Sequence, residues 1–322
     1  MVRYVLYIVT ALVFVVAGAS AVWVYEGQWG SGGTGNGQFN LPEDVAIATN
    51  GNVYVADASN HRVQYFTATG SFLGKWGTEG SGAGQFGLAR GLAFASGGNV
   101  YVTDYRNDRV QYFTPTGSYL GFYGSEGTGN GQFNGPNGIA FAPNGNWYVA
   151  DVGNYRVQYF TPGGSFLGKW GSAGRGDGQF RPPVYLAILP NGVVYVTDNW
   201  NHRVQYFTAS GSFLGKWGSQ GSGDGQFQFP EGIAYGPDGY IYVADRNNNR
   251  IQYFTPGGSF LGKWGTPGTG NGQFDWPFNV AVNANATRLY VVDYNNDRIQ
   301  YFRESLPAVV PSSVGRIKAL FR

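Results

Sequence analysis

The sequence predicts an all-β, six-bladed β-propeller, and three observations carry that prediction. Gly-Gln-Phe recurs at Gly37, Gly84, Gly131, Gly178, Gly225 and Gly272, always 47 residues apart. A constant period in this range belongs to stacked units that bury their faces only against one another. Each period holds four runs rich in β-branched and aromatic residues, separated by turn formers, which is the make-up of a four-stranded antiparallel blade. The sixth period lacks its fourth run, and a matching run stands ahead of the first period instead.

The second copy gives the elements in order. Residues 91–95 read as the first strand, 100–104 as the second, 109–114 as the third and 118–124 as the fourth. Gly97-Gly98-Asn99 and Pro115-Thr116-Gly117 supply turns between them. First strands begin at Asp44, Gly91, Gly138, Tyr185, Gly232 and Asn279, but a fourth strand ending in Lys-Trp-Gly or a variant follows only the first five. The run from Val24 to Gly30 has the same Trp-Gly ending, so it is expected to complete the last blade. That closure removes an edge that would otherwise pair with other chains.

Composition bounds the function. Charged residues make up 12% and aromatics 17%, so the fold relies on packing and backbone pairing rather than on an ionic surface, for which about 25% charge is ordinary. The absence of cysteine excludes disulfides and cysteine-bearing metal sites. Residues 22–302 carry 16 Lys and Arg against 18 Asp and Glu, which gives no bulk attraction for nucleic acid. Residues 1–21 read as a signal peptide, with Arg3, an apolar stretch from Tyr4 to Val16 and small residues at 17–21. The alternative is an uncleaved membrane anchor over residues 4–24, with which a closing strand beginning near Val24 would compete. Residues 303–322 read as a linker followed by a short basic tail.

Two segments carry a family likeness. Gly-Asn-Gly-Gln-Phe-Asn-Leu-Pro-Glu-Asp-Val-Ala (residues 35–46) and Val-Tyr-Val-Ala-Asp-Ala-Ser-Asn-His-Arg-Val-Gln-Tyr-Phe (53–66) closely resemble the NHL repeat, and the match recurs six times over residues 24–302. The resemblance implies a six-bladed propeller. It also keeps lyase, hydrolase and RNA-binding activities in view, since propellers of this kind include all three. The neutral-to-acidic repeat body and the export signal count against RNA.

The repeated polar residues point to scaffold. Asp57/Arg62, Asp104/Arg109, Asp151/Arg156, Asp198/Arg203, Asp245/Arg250 and Asp293/Arg298 recur with an Asn between them, as a carboxylate and amide that fix a turn with an arginine paired nearby. A group present in every blade cannot mark one catalytic place. His61 and His202 stand three repeats apart and are expected in surface turns on opposite sides of the ring, too far apart to share a metal. The Gly-rich connectors carry too few carboxylates for calcium sites. No Gly-x-Ser-x-Gly elbow is present. Glu43 and Glu231 are the one conceivable carboxylate pair. No metal, cofactor or catalytic set is assigned. The rival reading is a lyase or hydrolase whose metal site the sequence hides.

What does not repeat points to recognition. One propeller face collects the residues just before each first strand: Glu43, Arg90, Asn137, Val184, Glu231 and Phe278. It also collects the turns between second and third strands, led by Ala58, Tyr105, Val152, Asn199, Arg246 and Tyr294 and followed by Ser59, Arg106, Gly153, Trp200, Asn247 and Asn295. A rim of mixed aromatics, arginines and amides has the composition of a recognition surface, the alternative being neutral drift of surface turns. Tyr105, Arg106, Trp200, Arg246 and Tyr294 are the expected anchors. The expected protein is therefore an exported, monomeric, non-catalytic module that binds a protein, peptide or glycan through this rim. Membrane association is expected only if the leader is retained.

Overall fold

The computed structural model describes residues 22–305. The signal-peptide or anchor segment 1–21 and the tail from 306 onward lie outside the described residues. Within them, six four-stranded antiparallel sheets form a closed ring of blades. The inner strands are Pro42–Ile47, Ala89–Phe94, Pro136–Phe141, Pro183–Ile188, Pro230–Tyr235 and Pro277–Val282, here blades 1 to 6. Each begins two residues earlier than the repeat pattern suggests. The last blade is completed by Val22–Trp29, which pairs antiparallel with Arg298–Ser305 from Val22 opposite Ser305 to Trp29 opposite Ile299. That final strand runs three residues past the expected repeat boundary at 302, because the N-terminal strand reaches back far enough to pair with them.

One buried polar knot recurs in every blade and explains the spacing of the motif. In blade 1, Asp57 accepts from Arg62 Nε at 2.6 Å, from Asn60 Nδ2 at 3.0 Å, from Gln64 Nε2 at 3.0 Å and from the Asn40 N–H at 2.8 Å. Arg62 extends past it to the carbonyls of Thr34, Gly35 and Gln38. Gln64 Oε1 accepts the Gly37 N–H at 2.9 Å, and Gln38 Oε1 accepts that of Gly35. Phe39 is fully buried beneath. The Gly-Gln-Phe loop is thus fastened to the blade it enters, with the Asp57 carboxylate fully buried and bonded.

The arginines of this knot pair with the turn aspartates, as the repeat suggests, and reach further than the turn. Each opens the third strand directly opposite its aspartate and is buried: Arg109 faces Asp104 at 2.9 Å and Arg250 faces Asp245 at 2.7 Å. Arg109 Nη2 donates to the carbonyls of Gly82 and Gln85, and Arg250 donates to those of Ser222, Gly223 and Gln226. They therefore tie the connector as well as the turn, because the guanidinium has donors left over once Nε has met the carboxylate. Arg109 differs from the others in that its guanidinium lies 5.7 Å from the Phe122 ring, where four other blades carry lysine and the last carries Gln28. The pairs Asp151–Arg156, Asp198–Arg203 and Asp293–Arg298 each measure 2.7 Å.

Blades stack through an aromatic laid on a glycine. Trp76 covers Gly117 of the next blade, where a Cβ would come within 2.7 Å of the indole. Trp29 on Gly70, Trp170 on Gly211 and Trp217 on Gly258 repeat the arrangement. At the junction of blades 5 and 6 the corresponding turn does not exist, and Trp264 meets Trp23 at 6.4 Å instead. Trp23 Nε1 donates to the Tyr242 hydroxyl at 3.1 Å, so the N-terminal strand supplies packing as well as pairing.

Candidate functional site

The inner strands line an axial channel in three layers. Outermost, at the face bearing the individualised turns, stand Glu43, Arg90, Asn137, Val184, Glu231 and Phe278. The next layer is Asp44, Gly91, Gly138, Tyr185, Gly232 and Asn279. A Cβ at any of the three glycines there would clash with the neighbouring inner strand: with the Asn137 carbonyl at Gly91, with Tyr185 at Gly138 and with Asn279 at Gly232. Tyr185 is the large side chain of this layer. Its hydroxyl crosses from blade 4 to donate to the Glu43 carbonyl of blade 1 at 3.1 Å, so the phenol bars the channel. Asp44 accepts the N–H groups of Val45 at 2.7 Å and Leu92 at 2.6 Å and bonds the Asn279 amide, linking blades 6, 1 and 2. Below this bar an apolar layer of Val45, Leu92, Ile139, Leu186, Ile233 and Val280 lines a chamber of about 180 Å³ that opens toward the opposite face.

Charges are concentrated above the bar. Arg90 Nε lies 2.7 Å from Glu43 Oε2 as an ion pair without hydrogen-bond alignment, and its guanidinium stacks 3.8 Å over Tyr105. Glu231 Oε1 accepts from Arg246 Nη1 at 2.7 Å and from Asn199 Nδ2 at 3.0 Å. Burial raises the carboxyls of Glu43 and Glu231, the latter to about 7 in spite of Arg246 and Arg90, and it lifts Asp44 to about 8. Asn137, only 1% exposed, leaves Oδ1 without a partner.

From this mouth an aromatic and cationic strip runs outward over blades 6, 5 and 4. Phe278 stacks on Tyr294 at 4.7 Å, and Tyr294 on Trp276 at 6.4 Å. The Arg246 guanidinium lies 4.9 Å from the Trp276 ring and 5.4 Å from Phe229. Phe229 meets Trp200 edge-on at 6.1 Å. Trp200 is 60% exposed and Trp276 39%, unusual for tryptophan in a domain with ample core. Phe229 and Trp276 stand at φ 57° and 56°, each immediately before a proline, a left-handed conformation that costs a bulky residue of the order of 1 kcal/mol. The preceding blade holds each in place: the Phe229 N–H donates to His202 Nδ1 at 3.1 Å, and the Trp276 N–H to Asn249 Oδ1 at 2.9 Å.

The family model for the NHL repeat matches five segments, at residues 39–66, 86–113, 133–160, 180–207 and 227–254. Together with the six-bladed ring, that decides the family. The chain is an NHL-repeat β-propeller. No curated protein matches its sequence. Among solved structures, an inactive virginiamycin B lyase from Staphylococcus aureus, crystallised with quinupristin, is similar at 17% identity and a TM-score of 0.59, covering 91% of this chain and 90% of its own. A protein of unknown function from Bacteroides thetaiotaomicron gives 15% identity and a TM-score of 0.66 over 87% of this chain and 76% of its own. An auxiliary nutrient binding protein from the same organism gives 15% and 0.62 over 86% and 72%. At these identities the likeness is one of fold.

Within this NHL propeller the expected rim residues divide. Tyr105, Arg106, Trp200, Arg246 and Tyr294 lie in the short 3-10 turns Tyr105–Asn107, Asn199–Asn201, Arg246–Asn248 and Tyr294–Asn296, with Arg106 and Trp200 exposed and the others half-buried. Glu43, Asn137, Glu231 and Phe278 are buried rather than at a free edge, and Arg90 is half-buried. The repeat pattern puts them ahead of the inner strands, but they lie inside them, since each strand begins at the residue just before, a proline in all but the second blade, where it is Ala89, and carries its register shift there. Glu43 and Glu231 are each opposed by an arginine instead of forming a free acid pair. His202 is also more buried than a surface turn residue, at 8%, and burial lowers its pKa, in keeping with Nδ1 acting as an acceptor. His61 Nδ1 instead donates to the Gly87 carbonyl at 3.0 Å.

The repeat comparison misses Phe229 and Trp276. The signal lies in the non-repeating set Leu41, Leu88, Gly135, Pro182, Phe229 and Trp276 just before the inner strands. Among the described residues no group of three or more His, Asp or Glu converges as metal ligands, and no helix is long and apolar enough to cross a membrane.

Proposed function

We infer that this NHL propeller is an exported, non-catalytic binding module that recognises a protein, peptide or glycan through the face carrying the 3-10 turns. The observation that carries the reading is the strip from Phe278 to Trp200. Residues copied in all blades are spent on the internal knot, whereas the uncopied ones at this face form a continuous run of aromatics around Arg246, with Trp200 and Trp276 exposed and Phe229 half-buried between them. Trp, Tyr and Arg are the residues that most often anchor binding energy. The test compares wild-type protein with Trp200→Ala/Trp276→Ala on glycan and peptide arrays. A ligand retained by the wild type should be lost by the double variant at an unchanged melting temperature. Equal retention by both proteins would remove this face as the site. Export is supported by the leader-like residues 1–21, and N-terminal sequencing of the mature protein checks it.

A further inference from the structure

One groove on this face has a composition found nowhere else in the ring. It lies at the junction of blades 4 and 5, encloses about 470 Å³ and is lined by Arg175, Arg181, Trp200, Gln220 and Phe229 with the base of the blade-4 turn. That volume is within the range of small-ligand sites. Where Arg175 stands, the other repeats have Thr34, Ser81, Thr128, Ser222 and Thr269; where Arg181 stands, they have Asn40, Gly87, Asn134, Gln228 and Asp275. Two arginines have therefore been placed, in a single connector, at positions that otherwise hold small, neutral or acidic residues.

Neither guanidinium has a hydrogen-bond or ion-pair partner among the described residues, in contrast to Arg203 beside them, which is locked to Asp198 at 2.7 Å. The nearby carboxylate of Asp177 is engaged by Lys216 at 2.5 Å. The positive charge of the groove is thus unmet from within. Trp200 is tied to Arg181 by its backbone N–H, which donates to the Arg181 carbonyl at 2.7 Å, and its indole meets the ring of Phe229. A flat, exposed indole next to two free guanidiniums offers a stacking surface and an anion clamp on one ligand.

We propose that this groove is a subsite for a carboxylated sugar ring of an acidic glycan, with Trp200 as the platform for the ring and Arg175 and Arg181 as partners of its carboxylate. Arginine's planar fork matches a carboxylate with two parallel hydrogen bonds, and the polarised C–H face of a pyranose packs on the electron-rich face of an indole. An extended polyphosphate is disfavoured, because residues 22–305 carry 17 Lys and Arg against 19 Asp and Glu and the positive charge is local. The assignment rests on the binding-module reading and names the ligand class for its blade-4 end.

Calorimetric titration of the full chain tests it, using tetragalacturonate, cellotetraose, inorganic phosphate and tetraglutamate as probes. Tetragalacturonate should give saturable, salt-sensitive binding that cellotetraose lacks, weakened by about tenfold or more in both Arg175→Gln/Arg181→Gln and Trp200→Ala. All of these side chains are at least partly exposed, so melting temperatures should not move. Absence of binding, or equal affinity in the variants, overturns the proposal, and phosphate or tetraglutamate binding as well as the uronide overturns the sugar assignment. If an array ligand is lost by a single Trp276→Ala variant while the subsite variants bind it as the wild type does, the module reading stands and only this subsite falls.

Discussion

Two kinds of charged residue behave oppositely here. Asp151 is fully buried with Arg156 at 2.7 Å and three further donors from Asn134, Asn154 and Gln158. Asp151→Ala strands a buried guanidinium and should cost about 3–5 kcal/mol in urea unfolding. Lys216→Ala breaks an exposed pair with Asp177 and should cost no more than about 1 kcal/mol. If the two variants unfold alike, the knot is not what holds the connectors. At the same scale, sequence pattern exposes the Asp/Arg pairs because they recur. It does not reveal that Arg62 and Arg250 each bind three loop carbonyls and Arg109 two, since backbone acceptors leave no mark in a side-chain motif.

At the level of elements, the closing strand Val22–Trp29 carries most of the cooperativity argument. It supplies seven residue pairings to Arg298–Ser305, the Trp23 contact with Trp264, and Trp29 over Gly70. Deleting residues 22–29 leaves an unpaired edge and an uncovered junction, so the expected outcome is a lower melting temperature and self-association in size-exclusion chromatography. A monomeric deletion variant with unchanged melting would sink the closure model as an energetic device. The missing fourth strand is legible from the count of Trp-Gly endings. Its exact start, and the earlier onset of the inner strands, are not, because the first depends on partners more than 200 residues away and the second, in four blades, on a left-handed residue before proline.

Taken as a whole molecule, the axis is a reservoir of buried carboxyls. Glu231 and Asp44 are raised to about 7 and about 8, and Glu43 is raised as well. The folded state holds protons that the unfolded chain, with carboxyls near pH 4, has already released. Stability therefore falls as pH climbs through that interval. His202, with its pKa lowered, acts in the other sense but only below its unfolded value of 6.5. Between about pH 6.5 and 8 Glu231 and Asp44 lose their protons in the folded state, so calorimetry should record a falling melting temperature, with a shallower fall in Asp44→Asn. A flat or rising profile would contradict the raised pKa of the axial carboxyls.

The sequence by itself determined the number of blades, the strands in each and the closure of the ring, because all three follow from a local pattern copied every 47 residues. It also separated the copied scaffold from the uncopied face. Only the tertiary structure decided which uncopied residues meet. Tyr185 bars the channel by reaching a carbonyl 142 residues away, Glu43 and Glu231 go under cover against arginines, and Trp276 is left exposed while Phe229 is half-buried. The physical reason is that a ring brings together residues one or more whole repeats apart, and their side chains differ at those positions, so no period in the chain records the contact.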